Sequence, residues 1–273
     1  MSGAASLVLV IGLVLGTEQT PGRAPDTGNV LARARMAYNA QRFDEAARLA
    51  ADAAAVPALV PSAALIRSRA LLEQYRRGGD VADVALARQS LLLADPERLT
   101  PRERAERRLA TAELLFVDEQ YGAAAEAFAL SLSETTDTAA RTRVLDWWAA
   151  ALDRYAQVAP EGERQRRYAR LLAGLDAEPA GAVTQYWRAA AYRGVEDFDR
   201  AWAVAVAAWI QAPDLASGAA AVASLRVDID RLMRDAIIPE RARRAPAPAD
   251  PDAVRVALTA EWDAIRERWE KLP

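Results

Sequence analysis

Cysteine and histidine are both absent from the 273 residues, and lysine occurs once, at Lys271. Without Cys or His there is no disulfide, no thiolate nucleophile, no Cys/His zinc site and no His-based triad. The chain also has no Gly-rich phosphate loop with a Lys, no dinucleotide fingerprint and no EF-hand spacing of acidic residues. Long runs of one charge are missing too. With a net charge of −3 and both signs interspersed, no concentrated basic face exists of the kind nucleic acid requires. Sustained period-2 alternation is absent, so no strands are predicted. Carboxylates and Arg remain as the only catalytic types in quantity. The paired candidates Asp228/Asp230 and Asp44/Glu45 sit beside Arg on helical patterns, where salt-linked, solvated faces are expected. The reading is therefore a non-enzyme, with no catalytic residue, no metal and no cofactor.

The composition that remains is 52% apolar and 27% charged, which marks a folded chain, not a disordered one. Much of the apolar share is Ala. It has the highest helix propensity and little bulk, so many closely packed helices are favoured over a bulky core. Near the start, Ala4 to Gly16 is an apolar run centred on Leu7 to Leu15. It is shorter than the ~20 residues that span a bilayer and suits the apolar core of a secretory signal. Residues 1–16 are read as a signal peptide or a short anchor, placing the protein in the periplasm or outside the cell, or alternatively anchored at the membrane. Membrane contact is expected only through this segment, if it is uncleaved. Residues 17–28, rich in Pro, Gly and Thr, read as a flexible lead-in.

From Asn29 the chain repeats one layout: an amphipathic run, a short polar turn, then a register residue that opens a second run. The register residues are Phe43, Val81, Tyr121 and Phe198, separated by 38, 40 and 77 residues. The last gap is about twice the others, so a degenerate unit belongs near Pro160. Val144 to Ala156 and Glu163 to Leu175 form that pair. After Phe43, the small residues Ala46, Ala47, Ala50, Ala53 and Ala54 recur at helical spacing, which lets two backbones approach closely. The register residue is expected to fill the wedge between paired helices. Pro57, Pro61, Pro96, Pro101, Pro179 and Pro213 close several units, because Pro does not continue a helix interior.

These features resemble the tetratricopeptide repeat family over roughly Asn29 to Leu215. Val195-Glu196-Asp197-Phe198-Asp199-Arg200-Ala201 and Asp95-Pro96 are similar to its turn and closing signatures. The family's small residue in the first helix falls on Ala34, Leu72, Ala112 and Ala189, and its aromatic in the second helix is kept only at Phe128. The resemblance implies an all-α, right-handed solenoid of about five stacked helix pairs over 29–215. It also implies that first helices line a concave groove holding a protein or peptide. Carried over residue by residue, the groove takes Arg35, Tyr38 and Asn39, then Arg69, Glu73, Arg76 and Arg77. Glu113 and Phe116 follow, then Trp147 and Arg154, and finally Tyr186 and Arg193. Arg and aromatic residues are enriched at binding hot spots, so an acidic or C-terminal peptide is the expected occupant.

Beyond the repeats, 216–244 reads as a capping helix, since a solenoid's last unit leaves an apolar face to cover. Residues 245–252 form a Pro-rich linker, and 253–273 a final helix with Val254, Ala257, Leu258, Trp262, Ile265 and Trp269 on one side. The leading reading is an exported scaffold or adaptor. Its rival is an enzyme accessory subunit or a carboxylate-based hydrolase, which two facing carboxylates of raised pKa would favour.

Overall fold

The computed structural model describes residues 30–215 and 218–270. The leader and lead-in at 1–28, and the end of the last helix at 271–273, lie outside the described residues. Among the described residues the chain is helical and has no strand. No described helix is long and apolar enough to cross a membrane. Contacts divide the chain after Val144 into two compact units.

In residues 30–144 the helices run α1 (Val30–Asn39), α2 (Phe43–Ala53), α3 (Val60–Gly78), α4 (Val81–Leu93), α5 (Pro101–Val117) and α6 (Tyr121–Glu134). Each odd helix packs against the even helix that follows, and α1, α3 and α5 also touch one another in order. Small residues make this possible: Ala34, Ala37, Ala46, Ala50, Ala112, Ala124 and Ala125 are all completely buried at the helix contacts. With a methyl as the only side chain, backbones approach closely and dispersion contacts accumulate. Two apolar clusters result, one around Tyr38, Phe43 and Ile66, the other around Leu65, Leu72, Leu91 and Leu114.

Residues 145–270 hold the rest of α7 (Thr138–Gln157), then α8 (Glu161–Asp176), α9 (Ala182–Gly194), α10 (Phe198–Gln211), α11 (Ala219–Leu232), α12 (Ile238–Arg243) and α13 (Pro251–Glu270). Helices α9 and α10 pair closely, and α9 also meets α8 and α11. A π-helical turn over Met233–Ile237 joins α11 to α12. Pro239 explains it: a proline nitrogen cannot donate to the preceding turn, and widening the helix accommodates the ring. Helix α13 packs on α10 and α12. Trp262 is completely buried there, edge-on to Trp209 at 5.3 Å and to Trp202 at 6.4 Å. Its indole N–H donates to Asp230 at 2.8 Å.

All four register residues are the first residue of a second helix: Phe43 of α2, Val81 of α4, Tyr121 of α6 and Phe198 of α10. Helix α8 starts at Glu161, 40 residues after Tyr121 and 37 before Phe198, so the unmarked unit keeps the period. The turn is shared as well. The residue two before each marked start has positive φ: Gln41 at 58°, Gly79 at 73°, Glu119 at 59° and Glu196 at 65°. In three of these turns the next N–H reaches back five residues, Arg42 to Ala37, Gln120 to Leu115 and Asp197 to Tyr192, each at 2.9 Å. This is the Schellman arrangement, which satisfies carbonyls left open at a helix end. One expectation needs correcting. Phe43 and Phe198 are buried as wedges, but Val81 is 75% exposed. There the turn is made by Gly79 and by Asp80, whose carboxylate accepts from the Ala82 N–H at 2.8 Å.

Glycine packing and backbone conformation give a paired prediction. Gly78 is helical with open space around it, while Gly79 holds a left-handed conformation. Gly78→Ala is expected to stabilise the chain by about 0.5–1 kcal/mol, and Gly79→Ala to destabilise it by about 1–2 kcal/mol. Urea denaturation of the two variants measures both; a shift of the same sign in both would refute the assignment of the turn.

Candidate binding face

The first helices of the pairs present a recurring position. Arg35, Glu73, Glu113 and Asp153 each stand eight residues before the start of the second helix. A helix turns 100° per residue, so positions three and four away share that side. This brings Tyr38, Arg69 and Arg76 onto the same face.

In residues 30–144 the face is a ladder of ion pairs. Arg35 pairs with Glu103, a residue that also closes a capping box with Thr100 at the start of α5. Arg69 Nη1 meets Glu106 at 2.9 Å, and its guanidinium lies 4.6 Å from the centre of the Tyr38 ring. Arg76 bridges Glu73 at 2.5 Å and Glu113 at 2.7 Å. Burial pushes the Glu113 carboxyl up, Arg76 pulls it down, Glu73 adds to the rise, and the net direction is upward. Glu103 is held below the usual carboxylate range: burial raises it, but hydrogen bonds from Ser62 and Thr100 and the Arg35 charge outweigh that. Arg77 donates to Gln41 and covers the Phe43 ring at 4.4 Å. Asn39 is exposed, and Phe116 stacks edge-on with Tyr121 at 5.3 Å. Arg35, Arg69 and Arg76, drawn from the resemblance, are thus matched by carboxylates of the chain itself, and Arg77 by Gln41. Glu103 and Glu106, which do the matching, escaped sequence reading. Their signal was present as Glu spaced one turn apart opposite Arg on the preceding first helix.

In residues 145–270 the polar groups of the first helices have a different character. Asp153 accepts from the Tyr168 hydroxyl at 2.9 Å, and Arg193 lies 3.3 Å from the carboxylate and 3.2 Å from the phenol oxygen. This triplet is closed. Gly194 permits it: a Cβ there would meet the Tyr168 ring at 2.3 Å. Trp147 and Arg154 are half-buried on α7. Tyr186 is buried and edge-on to Trp187 at 4.9 Å. The Trp187 indole N–H donates to Asp146 at 2.7 Å. Burial pushes the Asp146 carboxyl up to about 6, against that hydrogen bond, and Asp228 adds to the rise. Asp228 is likewise pushed up to about 6 by burial, with Arg231 pulling down.

Asp228 corrects an expectation. Asp230 does lie in a salt-linked setting, with Arg234 at 2.9 Å and Arg266 at 3.3 Å. Asp228 is salt-linked as well, to Arg231 at 3.6 Å, but it is not on a solvated face: it is 8% exposed. Two residues apart on a helix point to nearly opposite sides, so Asp230 meets α13 while Asp228 meets the first-helix layer. Asp146 and Trp187 carried no sequence signal. A separate cleft of about 570 Å³ lies between the 195–199 turn and α13, lined by Phe198, Arg241, Arg244, Val254 and Leu258. Ion pairs of Arg244 with Glu196 and Arg241 with Asp199 cross it. Among the described residues no group of three or more acidic side chains is placed to hold a metal ion. No family model, no curated protein and no solved structure matches the chain.

A carboxyl held near 6 in the fold and near 3.8 when unfolded binds its proton more tightly in the folded state. Its penalty is absent below about pH 4, grows through pH 6 and is complete above it. Asp146→Asn keeps an acceptor for the Trp187 indole and removes the desolvated charge. It is expected to stabilise the chain by about 1–3 kcal/mol at pH 7.5, with the gain vanishing near pH 4. Thermal melts at both pH values read the difference, and an equal offset at each would contradict it.

Proposed function

We propose that this chain is an exported helical-repeat scaffold of the tetratricopeptide type, which holds a segment of a protein partner along the face of its first helices. The observation that carries the reading is the recurrence, in residues 30–144, of three helix pairs with one turn geometry and one charged position, Arg35, Glu73 and Glu113. Repetition of a polar position across successive units supplies an extended surface, which suits a chain segment better than a small molecule. In this reading the pairs turn in a right-handed solenoid. The apolar run at Leu7 to Leu15 supports export.

One observation favours a second reading. Asp146 and Asp228 are both raised toward 6, as carboxyls used in acid–base chemistry are. A carboxylate hydrolase of this kind would lose all turnover in Asp146→Asn and Asp228→Asn, whereas a scaffold has no turnover to lose.

The scaffold reading is tested by placing a photo-crosslinking residue at Asn39 on α1, and at Leu93 on α4 and Leu130 on α6 as controls. Crosslinks to a discrete partner from Asn39, and none from the two controls, are the expected result. Crosslinking from Leu93 or Leu130 alone would place the partner on the second helices and overturn the proposal.

A further inference from the structure

Helix α13 carries Val254, Leu258 and Trp262 on one side, four residues apart. Of its described residues only Trp262 is buried, against Trp209 and Trp202. Leu258 and Val254, one and two turns earlier, are half-buried and line the cleft of about 570 Å³ instead. Phe198 and Pro246 add to its apolar wall. Small-molecule sites have this size and this make-up, mostly apolar with a few fixed polar groups.

The fixed polar groups here are two guanidiniums. Arg244 lies 4.7 Å from the centre of the Phe198 ring and Arg241 5.0 Å from that of Trp202, and both rings are buried. Arg244 also donates to the Glu196 backbone carbonyl at 3.4 Å. The counter-ions are held less firmly. Arg241 meets Asp199 at 2.9 Å, but Asp199 is 83% exposed where Arg241 is 33%. Arg244 meets Glu196 at 2.6 Å, with both side chains half exposed. Solvent-exposed pairs of this kind contribute little to stability. The third carboxylate, Asp197, is engaged elsewhere: it accepts from the Arg200 N–H at 3.1 Å and caps α10. An incoming anion therefore meets cations positioned by ring stacking and displaces acids that return to water.

The rest of the cleft offers few polar partners. The backbone N–H groups of Val195, Glu196 and Asp197 are used within the turn, on Ala191, Arg193 and Tyr192. An extended peptide would find no row of main-chain donors there. A ligand charged at one end and apolar along its length matches both the guanidiniums and the walls. We infer that this cleft binds an aliphatic monocarboxylic acid, with its carboxylate on Arg241 and Arg244 and its chain along Phe198, Val254 and Leu258. Guanidinium groups fork a carboxylate through charge-assisted hydrogen bonds. The site shares no residue with the first-helix face and goes beyond the scaffold reading.

The test titrates the full chain with octanoate, octanamide, octylammonium and acetate. Binding is followed by NMR at the backbone N–H groups of Phe198 and Leu258. Octanoate is expected to shift both signals saturably at millimolar concentration, octanamide to bind roughly tenfold more weakly, and octylammonium and acetate to give no saturable shift. Arg244→Gln should weaken octanoate roughly tenfold. Glu196→Gln removes the competing acid and should strengthen octanoate about two- to fivefold. Circular dichroism is expected to match the wild type in both variants; if Arg244→Gln unfolds, Glu196→Gln, at an exposed position, decides alone. Any of the other three probes binding as tightly as octanoate, unshifted signals with octanoate, or wild-type affinity in either folded variant would overturn the site. None of these outcomes bears on crosslinking from Asn39, so the scaffold reading stands or falls separately.

Discussion

Four of the helix pairs depend on one backbone conformation, a left-handed residue two positions before the second helix begins. Gln41, Gly79, Glu119 and Glu196 hold it. The left-handed residue ends the first helix, and in three of the four turns a hydrogen bond five residues back closes the cap. Only one of the four is Gly, so the other three bear a steric cost of about 1 kcal/mol or more each. That cost is tolerated because the turn delivers the second helix against the first at a fixed place. The buried alanines of both helices then meet without a side chain between them.

Close backbone approach has a second consequence. Ala contributes little apolar area, so larger groups are needed where the layers do not touch. The aromatics take that place: Phe128, Tyr168, Trp209 and Trp262 are all essentially buried. Gly174 and Gly194 leave the room, since a Cβ at either would overlap the rings of Trp148 and Tyr168. The same tightness leaves the first-helix layer polar. A layer built from helices side by side must do something with the residues facing out of the pair. In 30–144 Arg pairs with Glu across neighbouring helices, whereas in 145–270 a phenol, a carboxylate and a guanidinium close on one another at Tyr168, Asp153 and Arg193.

Those two outcomes differ in energetic character. A buried ion ladder is close to neutral for stability when complete and strongly unfavourable when one partner is removed. The ladder of Arg69, Arg76, Glu73, Glu106 and Glu113 therefore fixes which helices lie side by side more than how tightly they hold. The Asp146 and Asp228 carboxyls, raised by burial, are by contrast destabilising where they are charged.

Period and register were legible in the residues alone. Phe43, Val81, Tyr121 and Phe198 mark the starts of four second helices, because an apolar residue after a polar turn announces a new amphipathic run. Helical spacing of Ala likewise announced which sides would be buried. The left-handed turns were not legible: Gln and Glu carry no preference for that conformation, and only the closing hydrogen bond makes it favourable. Pairing was equally hidden. Arg35 meets Glu103 68 residues away, and Trp187 meets Asp146 41 residues away. Asp228 and Asp230 look alike in the sequence and end in opposite environments. Local pattern depends on neighbours three or four residues apart, so the chain itself settles it. Charge matching depends on which helices become neighbours, and that is decided only when the layers pack.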